Sequence, residues 1–210
     1  MMDEATQREI ASLLVNELSR EGLEAVLVGS SAVVALDLFP RSSKDADALG
    51  PAGLSLDEGR RVMRAIGERF QIAPTEVGEG TISLIQRNEQ GEMVWRMDLI
   101  VPGDGLIPSA AATLVHKHAK KTPIGKAAIP EHVLAMKAIA YGDCVGKGNA
   151  DRAAEYKQDV ETLRGIPTRL DLRLTEELLK GFPDARRYAA VRLVNATFGT
   201  KFRESPDPSV

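Results

Sequence analysis

Cysteine is nearly missing from this 210-residue chain: Cys144 is the only one, so no intramolecular disulfide can form. A charged-then-apolar leader is lacking, and so is any apolar run long enough to span a bilayer. These absences set the expectation of a reducing, cytoplasmic location without a membrane partner. There is no excess of positive charge either. The 27 Lys and Arg stand against 30 Asp and Glu, for a formal charge of −3, which excludes a globally basic surface of the kind that binds nucleic acid non-specifically. Repeats and low-complexity tracts are missing, and only Glu204 to Val210, with two prolines, reads as a loose tail.

What is present is the composition of an ordinary globular protein, 43% apolar and 27% charged, at a length that suffices for one substantial core with or without a small appended domain. Ile10, Leu13, Leu14 and Leu18 recur at helical spacing and predict an amphipathic opening helix that ends near Glu21-Gly22. Ala25 to Val28 is the short apolar run of a buried strand. Ser30 to Leu38 is apolar enough for a helix packed on the sheet, with Pro40 as its stop. Gly50-Pro51-Ala52-Gly53 is a turn, and Ser55 with Glu58 is a capping-box signature for a helix to about Phe70, whose stripe is Val62, Ile66 and Phe70.

Strands are expected at Thr81 to Gln86 and Val94 to Val101, joined by the polar hairpin loop Asn88-Glu89-Gln90-Gly91. Residues 102–130, rich in Gly, Pro and Lys, read as loop with a short strand or two. Beyond them the pattern is helical. Pro130-Glu131 opens a helix with Val133, Met136, Ala140 and Tyr141 on one face, a break follows at Gly142 to Asn149, and Ala153, Tyr156, Val160 and Leu163 form the face of the next. Further helices are expected at Thr175 to Lys180 and Asp184 to Ala196. Sheet first and helices last predict an α/β N-terminal half followed by a helical C-terminal part, divided as 1–128, 129–203 and a tail over 204–210.

The chemistry is concentrated between Val26 and Leu49. Asp45 and Asp47 are one residue apart, and in an extended segment alternate side chains leave the same face, so their carboxylates lie side by side. Two like charges so placed repel unless a cation sits between them, and a divalent metal is the usual occupant; the plainer reading is a pair of solvated strand-end acids. Asp98 stands in a largely apolar run, Arg96-Met97-Asp98-Leu99-Ile100, where an acid requires an explanation. His116, Lys117, His118, Lys120 and Lys121 make a local basic stretch that reads either as a solvated loop or as an RNA contact.

Gly29-Ser30, a helix-length spacer, then Arg41-Ser42-Ser43-Lys44-Asp45-Ala46-Asp47, with Asp98 on a later strand, resembles the signature of the nucleotidyltransferase superfamily, the DNA polymerase β-like fold. Farther on, Ile129 to Lys137, Asp151-Arg152 and Lys157 to Leu163 look like the helical half of its minimal bacterial members, including the toxin nucleotidyltransferases of AbiEii kind. The resemblance implies a mixed sheet flanked by helices and transfer of a nucleotidyl group from an NTP to an acceptor hydroxyl on RNA, protein or a small molecule. It implies Mg²⁺ or Mn²⁺ held by Asp45, Asp47 and Asp98, with Gly29, Ser30, Arg41, Ser43 and Lys137 on the nucleotide side, and an antitoxin protein as a partner if the chain is a toxin. The sequence departs from the family where Ala46 and Ala48 flank Asp47 and Ser43 replaces a common threonine. Alanine is a weak strand former, so its neighbours must hold that strand. A catalytically weak binding module on the same fold, recognising a nucleotide or a partner protein, is the competing reading.

Overall fold

The computed structural model describes residues 4–40, 43–78, 80–103 and 105–204. They fall into two compact units, Met1–Ile129 and Pro130–Val210. Among the described residues no helix is long and apolar enough to cross a membrane.

The first unit opens with α1 (Glu4–Arg20), whose Ala11, Leu14 and Leu18 are completely buried. Next come β1 (Val26–Leu27), α2 (Gly29–Ala35), β2 (Asp45–Leu49) and α3 (Leu56–Phe70), then β3 (Thr75–Glu76), β4 (Thr81–Arg87) and β5 (Met93–Ile100). The unit closes with α4 (Ser109–His118), β6 (Lys120–Thr122) and β7 (Gly125–Ala127). Together the strands form one seven-stranded mixed sheet in the order β3-β4-β5-β2-β1-β7-β6, in which β2 runs parallel to β5 and antiparallel to β1.

The parallel register of β2 on β5 decides the chemistry of the sheet. Ala46 pairs with Met97 and Ala48 with Leu99, and these four side chains are fully buried. Paired residues of parallel strands project to the same side, so one face of the sheet is apolar here. α3 packs on that face: a Cβ on its Gly59 would lie 3.1 Å from Ile82 and 3.7 Å from Leu99. α1 packs against β2. The alanines that make β2 a weak strand by propensity are small enough to let a helix approach its backbone, and neighbours on both edges supply the order that propensity lacks.

The capping box at Ser55 forms as expected, with the Ser55 hydroxyl accepting from the Glu58 amide at 3.2 Å and the Glu58 carboxylate accepting from the Ser55 amide at 3.0 Å. The other end of α3 closes with two reversed bonds, Ile72 N–H to Gly67 O at 2.9 Å and Gln71 N–H to Glu68 O at 3.3 Å, around Gln71 at φ +57°. This is a Schellman motif with a residue other than glycine in the left-handed position.

Several expectations are corrected. α2 stops at Ala35 and not at Pro40, because Asp37 takes a left-handed φ of +52° and the Leu38 amide turns back to Val33 O at 3.1 Å. Residues 109–118, expected as loop, form α4, whose N-cap is Pro108 with no capping side chain to announce the start. β3 was not expected at all.

The second unit is helical: α5 (Pro130–Gly146), α6 (Ala150–Arg164), α7 (Leu172–Lys180) and α8 (Asp184–Phe198), with α5 packed on the other three. α5 runs through Gly142 to Gly146, so the break expected over Gly142 to Asn149 is confined to residues 147–149, and the burial of α5 extends beyond a single face to an unbroken run from Pro130 to Ala135. A Cβ on Gly142 would lie 3.1 Å from the Arg186 carbonyl oxygen of α8. Close helix approach, and no interruption, is what that glycine serves.

The left-handed cap of α3 makes a prediction. Gln71→Gly is expected to stabilise the protein by about 0.5–1 kcal/mol in urea unfolding, since glycine takes φ > 0 without steric penalty. Gly67→Ala is expected to destabilise by about 1–3 kcal/mol, because its new Cβ would lie 2.2 Å from the Ile72 carbonyl oxygen.

Candidate active site

The opposite face of the β2–β5 pair carries the charge. Asp45 lies beside Arg96 and Asp47 beside Asp98 in the parallel register, and all four project to one side. Ser83 of β4 pairs with Asp98 in the antiparallel register on the other edge of β5. Three carboxylates, a guanidinium and a hydroxyl therefore occupy adjacent positions on one patch of sheet.

Asp98 is the most enclosed of the three acids, 1% exposed. The Ser83 hydroxyl donates to its Oδ1 at 2.6 Å, and Arg96 Nε lies 2.9 Å from Oδ1 and 2.8 Å from Oδ2, with Arg96 Nη2 also bonded to Oδ2. Burial works against the charged form of Arg96. The hydrogen bond to Asp98 and the charges of Asp98, Asp45 and Asp47 together outweigh it and hold the guanidinium above its ordinary pKa. Among the described residues no group of three or more His, Cys, Asp or Glu side chains is gathered closely enough to hold a metal ion. Asp45, Asp47 and Asp98 thus share a face, while Asp98 is turned into Arg96 and Ser83.

The strand-to-helix turn before α2 is built around Asp47. Val28 N–H donates to Asp47 O at 3.1 Å, and Asp47 N–H donates to the Ser31 hydroxyl at 2.9 Å. Gly29 adopts φ +58°, and a Cβ there would lie 2.9 Å from Asp47 Oδ2. Glycine is needed twice over: for its dihedral angle and for the space that the carboxylate occupies. Ser30 is buried at the start of α2.

Ser43 sits at the entry to β2, where its hydroxyl accepts from the Asp45 amide at 3.2 Å and its own amide donates to the Gln7 side chain at 3.0 Å. Gln7, fully buried on α1, thereby ties the segment before the acids to the helix beneath it. Arg41 and Ser42 lie outside the described residues.

Lys137 belongs to the second unit. Its Nζ is 2.8 Å from Asp159 Oδ2, the two side chains 9% and 4% exposed, and it stands 5.3 Å from the centre of the Tyr156 ring. Lys157 reaches Glu161 at 3.7 Å, so the lysine and the acid two positions apart on α6 serve different partners, as helical geometry requires.

The basic stretch is folded rather than loose, split between the end of α4 and β6. His116 Nε2 lies 2.9 Å from Gly50 O and 3.2 Å from Leu49 O. Carbonyl oxygens only accept, so this nitrogen carries a proton, and His116 clamps the end of β2 to α4. Lys117, Lys120 and Lys121 are exposed.

Sequence reasoning assigned no part to Arg96, Ser83, Ser31 or Gln7. Arg96 alone left a local signal, standing two residues before Asp98 and hence on the same face of a strand. The other three reach the site through pairing or packing that no local pattern encodes.

Gly22→Ala and Gly29→Ala both place alanine at positive φ, but only the second meets an obstacle; Gly29→Ala is expected to lose at least about 1 kcal/mol more in thermal unfolding. Lys137→Met is expected to destabilise by about 3–5 kcal/mol by removing the cation that pairs with the buried Asp159 carboxylate, with much of that loss recovered in the Lys137→Met/Asp159→Leu double variant. Urea denaturation of the three proteins measures both effects.

No family model matches this sequence, and no curated protein matches it. In structure it is similar to an antigenic nucleotidyltransferase-like protein from Paracoccidioides brasiliensis, with a TM-score of 0.50 and 14% identity over 95% of this chain and 99% of that one. The antibiotic-resistance factor ANT(2'')-Ia is similar at a TM-score of 0.45, with 15% identity over 94% of each chain. The first likeness spans nearly the whole of both chains, and it shows the fold: this chain, with its mixed sheet and helical second unit, has a nucleotidyltransferase-like fold.

Proposed function

We propose that the protein is a metal-dependent nucleotidyltransferase that moves a nucleotidyl group from an NTP to an acceptor hydroxyl. The observation that carries the reading is the register of β2 on β5, in which Asp47 and Asp98 are direct neighbours and Asp45 projects from the same face, beside a turn whose glycine leaves room for the Asp47 carboxylate.

Asp45 and Asp47 are the carboxylates that would hold Mg²⁺ or Mn²⁺, with Asp98 the third acid on the same face. Hard divalent ions take such oxygen donors together with phosphate oxygens, and when bound they supply neutralisation of the triphosphate charge. The acceptor oxygen would attack the α-phosphorus, the bond from that phosphorus to the bridging oxygen would break, and pyrophosphate would leave. Asp98 is the chain's own group for the proton of the acceptor hydroxyl. Gly29 and Ser30 are assigned to the donor's phosphates on the ground that glycine permits close backbone approach. Ser43, bonded to the Asp45 amide, would set the entry to the acid strand, and Arg41 would stand on the nucleotide side. Lys137, paired with Asp159, would exchange that partner for a phosphate of the donor.

For the acceptor, an RNA is the reading that uses the exposed Lys117, Lys120 and Lys121; an AbiEii-like toxin with an antitoxin partner is its biological form. The competing reading, a catalytically weak module that binds a nucleotide or a protein, draws support from one observation: both oxygens of Asp98 are already engaged by Arg96 and Ser83.

Incubation with each labelled NTP, Mg²⁺ and separate RNA, protein and small-molecule fractions distinguishes the two. Label is expected in one fraction, reduced at least about a hundredfold by Asp47→Asn. A nucleotide-dependent rise in Tm with no label in any fraction would instead select the binding module.

A further inference from the structure

Arg96 is flanked by acids in two directions, Asp45 across the strand pair and Asp98 two residues along its own strand. Its Nε lies within hydrogen-bonding distance of both Asp98 oxygens, and the Ser83 hydroxyl donates to one of them at 2.6 Å. A carboxylate that is 1% exposed and so chelated offers little to an incoming ion. Asp45 and Asp47, both half-exposed, are more open to an incoming cation than Asp98.

We propose that Arg96 is the resident counter-cation of Asp98 and competes with divalent metal for that carboxylate. In the nucleotide-free protein a single divalent ion is then held through Asp45 and Asp47, and Asp98 joins the ligand set only when Arg96 is released. The inference rests on the metal-dependent reading of the same face given above. Metal must displace a bidentate, charge-assisted pair to reach Asp98, and hydrogen bonds of that class correspond to about tenfold to a hundredfold in an equilibrium constant. Arginine suits the task because its planar fork matches both oxygens at once and keeps its charge at all physiological pH.

Mn²⁺ titration of the full chain without nucleotide, followed by the paramagnetic resonance signal of free Mn²⁺, tests this on four proteins: wild type, Arg96→Gln, Asp98→Asn and the double variant. Arg96→Gln is expected to bind Mn²⁺ at least about tenfold more tightly. Asp98→Asn is expected to stay within about threefold of wild type, and adding it to Arg96→Gln is expected to abolish the gain. A merely structural Arg96 would leave affinity unchanged or weaken it, so an Arg96→Gln protein that keeps its circular dichroism and binds Mn²⁺ no more tightly overturns the proposal. Should Arg96→Gln fail to fold, Asp98→Asn decides alone: a loss beyond about tenfold overturns the proposal, and an unchanged affinity supports it. If the wild type and all variants bind no Mn²⁺, the metal-dependent function falls and this inference with it. Wild-type binding with no gain in Arg96→Gln removes this inference only.

Discussion

The pairing of β2 with β5 in parallel register is the constraint on which the rest depends. A slip of β2 by one residue would turn Asp45 and Asp47 into the apolar core and bring Ala46 and Ala48 out of it. Buried Ala46, Ala48, Met97 and Leu99 fix the register on the apolar face, and on the other face the Arg96–Asp98 pair within β5 offsets part of the charge of the acids. Arg96, bonded to Asp98 and beside Asp45, offsets part of the negative charge on this face from within the chain itself.

Around this pair the chain spends its special residues on the position of one carboxylate. Gly29 gives way to Asp47 Oδ2, Ser31 accepts the Asp47 amide, and Val28 donates to the Asp47 carbonyl oxygen. Upstream, Gln7 and Ser43 tie the entry of β2 to α1. Downstream, His116 clamps its exit at Leu49 and Gly50. A strand of sequence DADAL, poor in intrinsic β propensity, is thus ordered almost wholly by contacts made with other elements.

That distribution explains what the sequence made legible. The Ser55–Glu58 capping box, the apolar spacing of α1 and the hairpin between β4 and β5 are local, and each formed where expected. The alternation of Asp45 and Asp47 is local as well. The nearness of Arg96 to Asp98 is legible in their spacing of two on one strand. What could not be read was non-local. Ser83 reaches Asp98 through an antiparallel register, Asp159 reaches Lys137 across two helices, and Gln7 reaches Ser43 from the opening helix. α4 escaped notice for another reason: glycine, proline and lysine around it masked an alanine-rich helix that starts without a side-chain cap. α2 ended early because Asp37 accepted a left-handed conformation that composition gave no reason to expect.

A divalent ion and an NTP are proposed to meet on the acid face of β2 and β5. Anomalous diffraction from crystals grown with Mn²⁺ and a non-hydrolysable NTP tests this. A manganese peak is expected at about 2.0–2.3 Å from carboxylate oxygens of both Asp45 and Asp47, with the nucleotide's phosphates bound to the same ion. Nucleotide bound away from β2, or manganese bound elsewhere while both carboxylates remain unliganded, would contradict it.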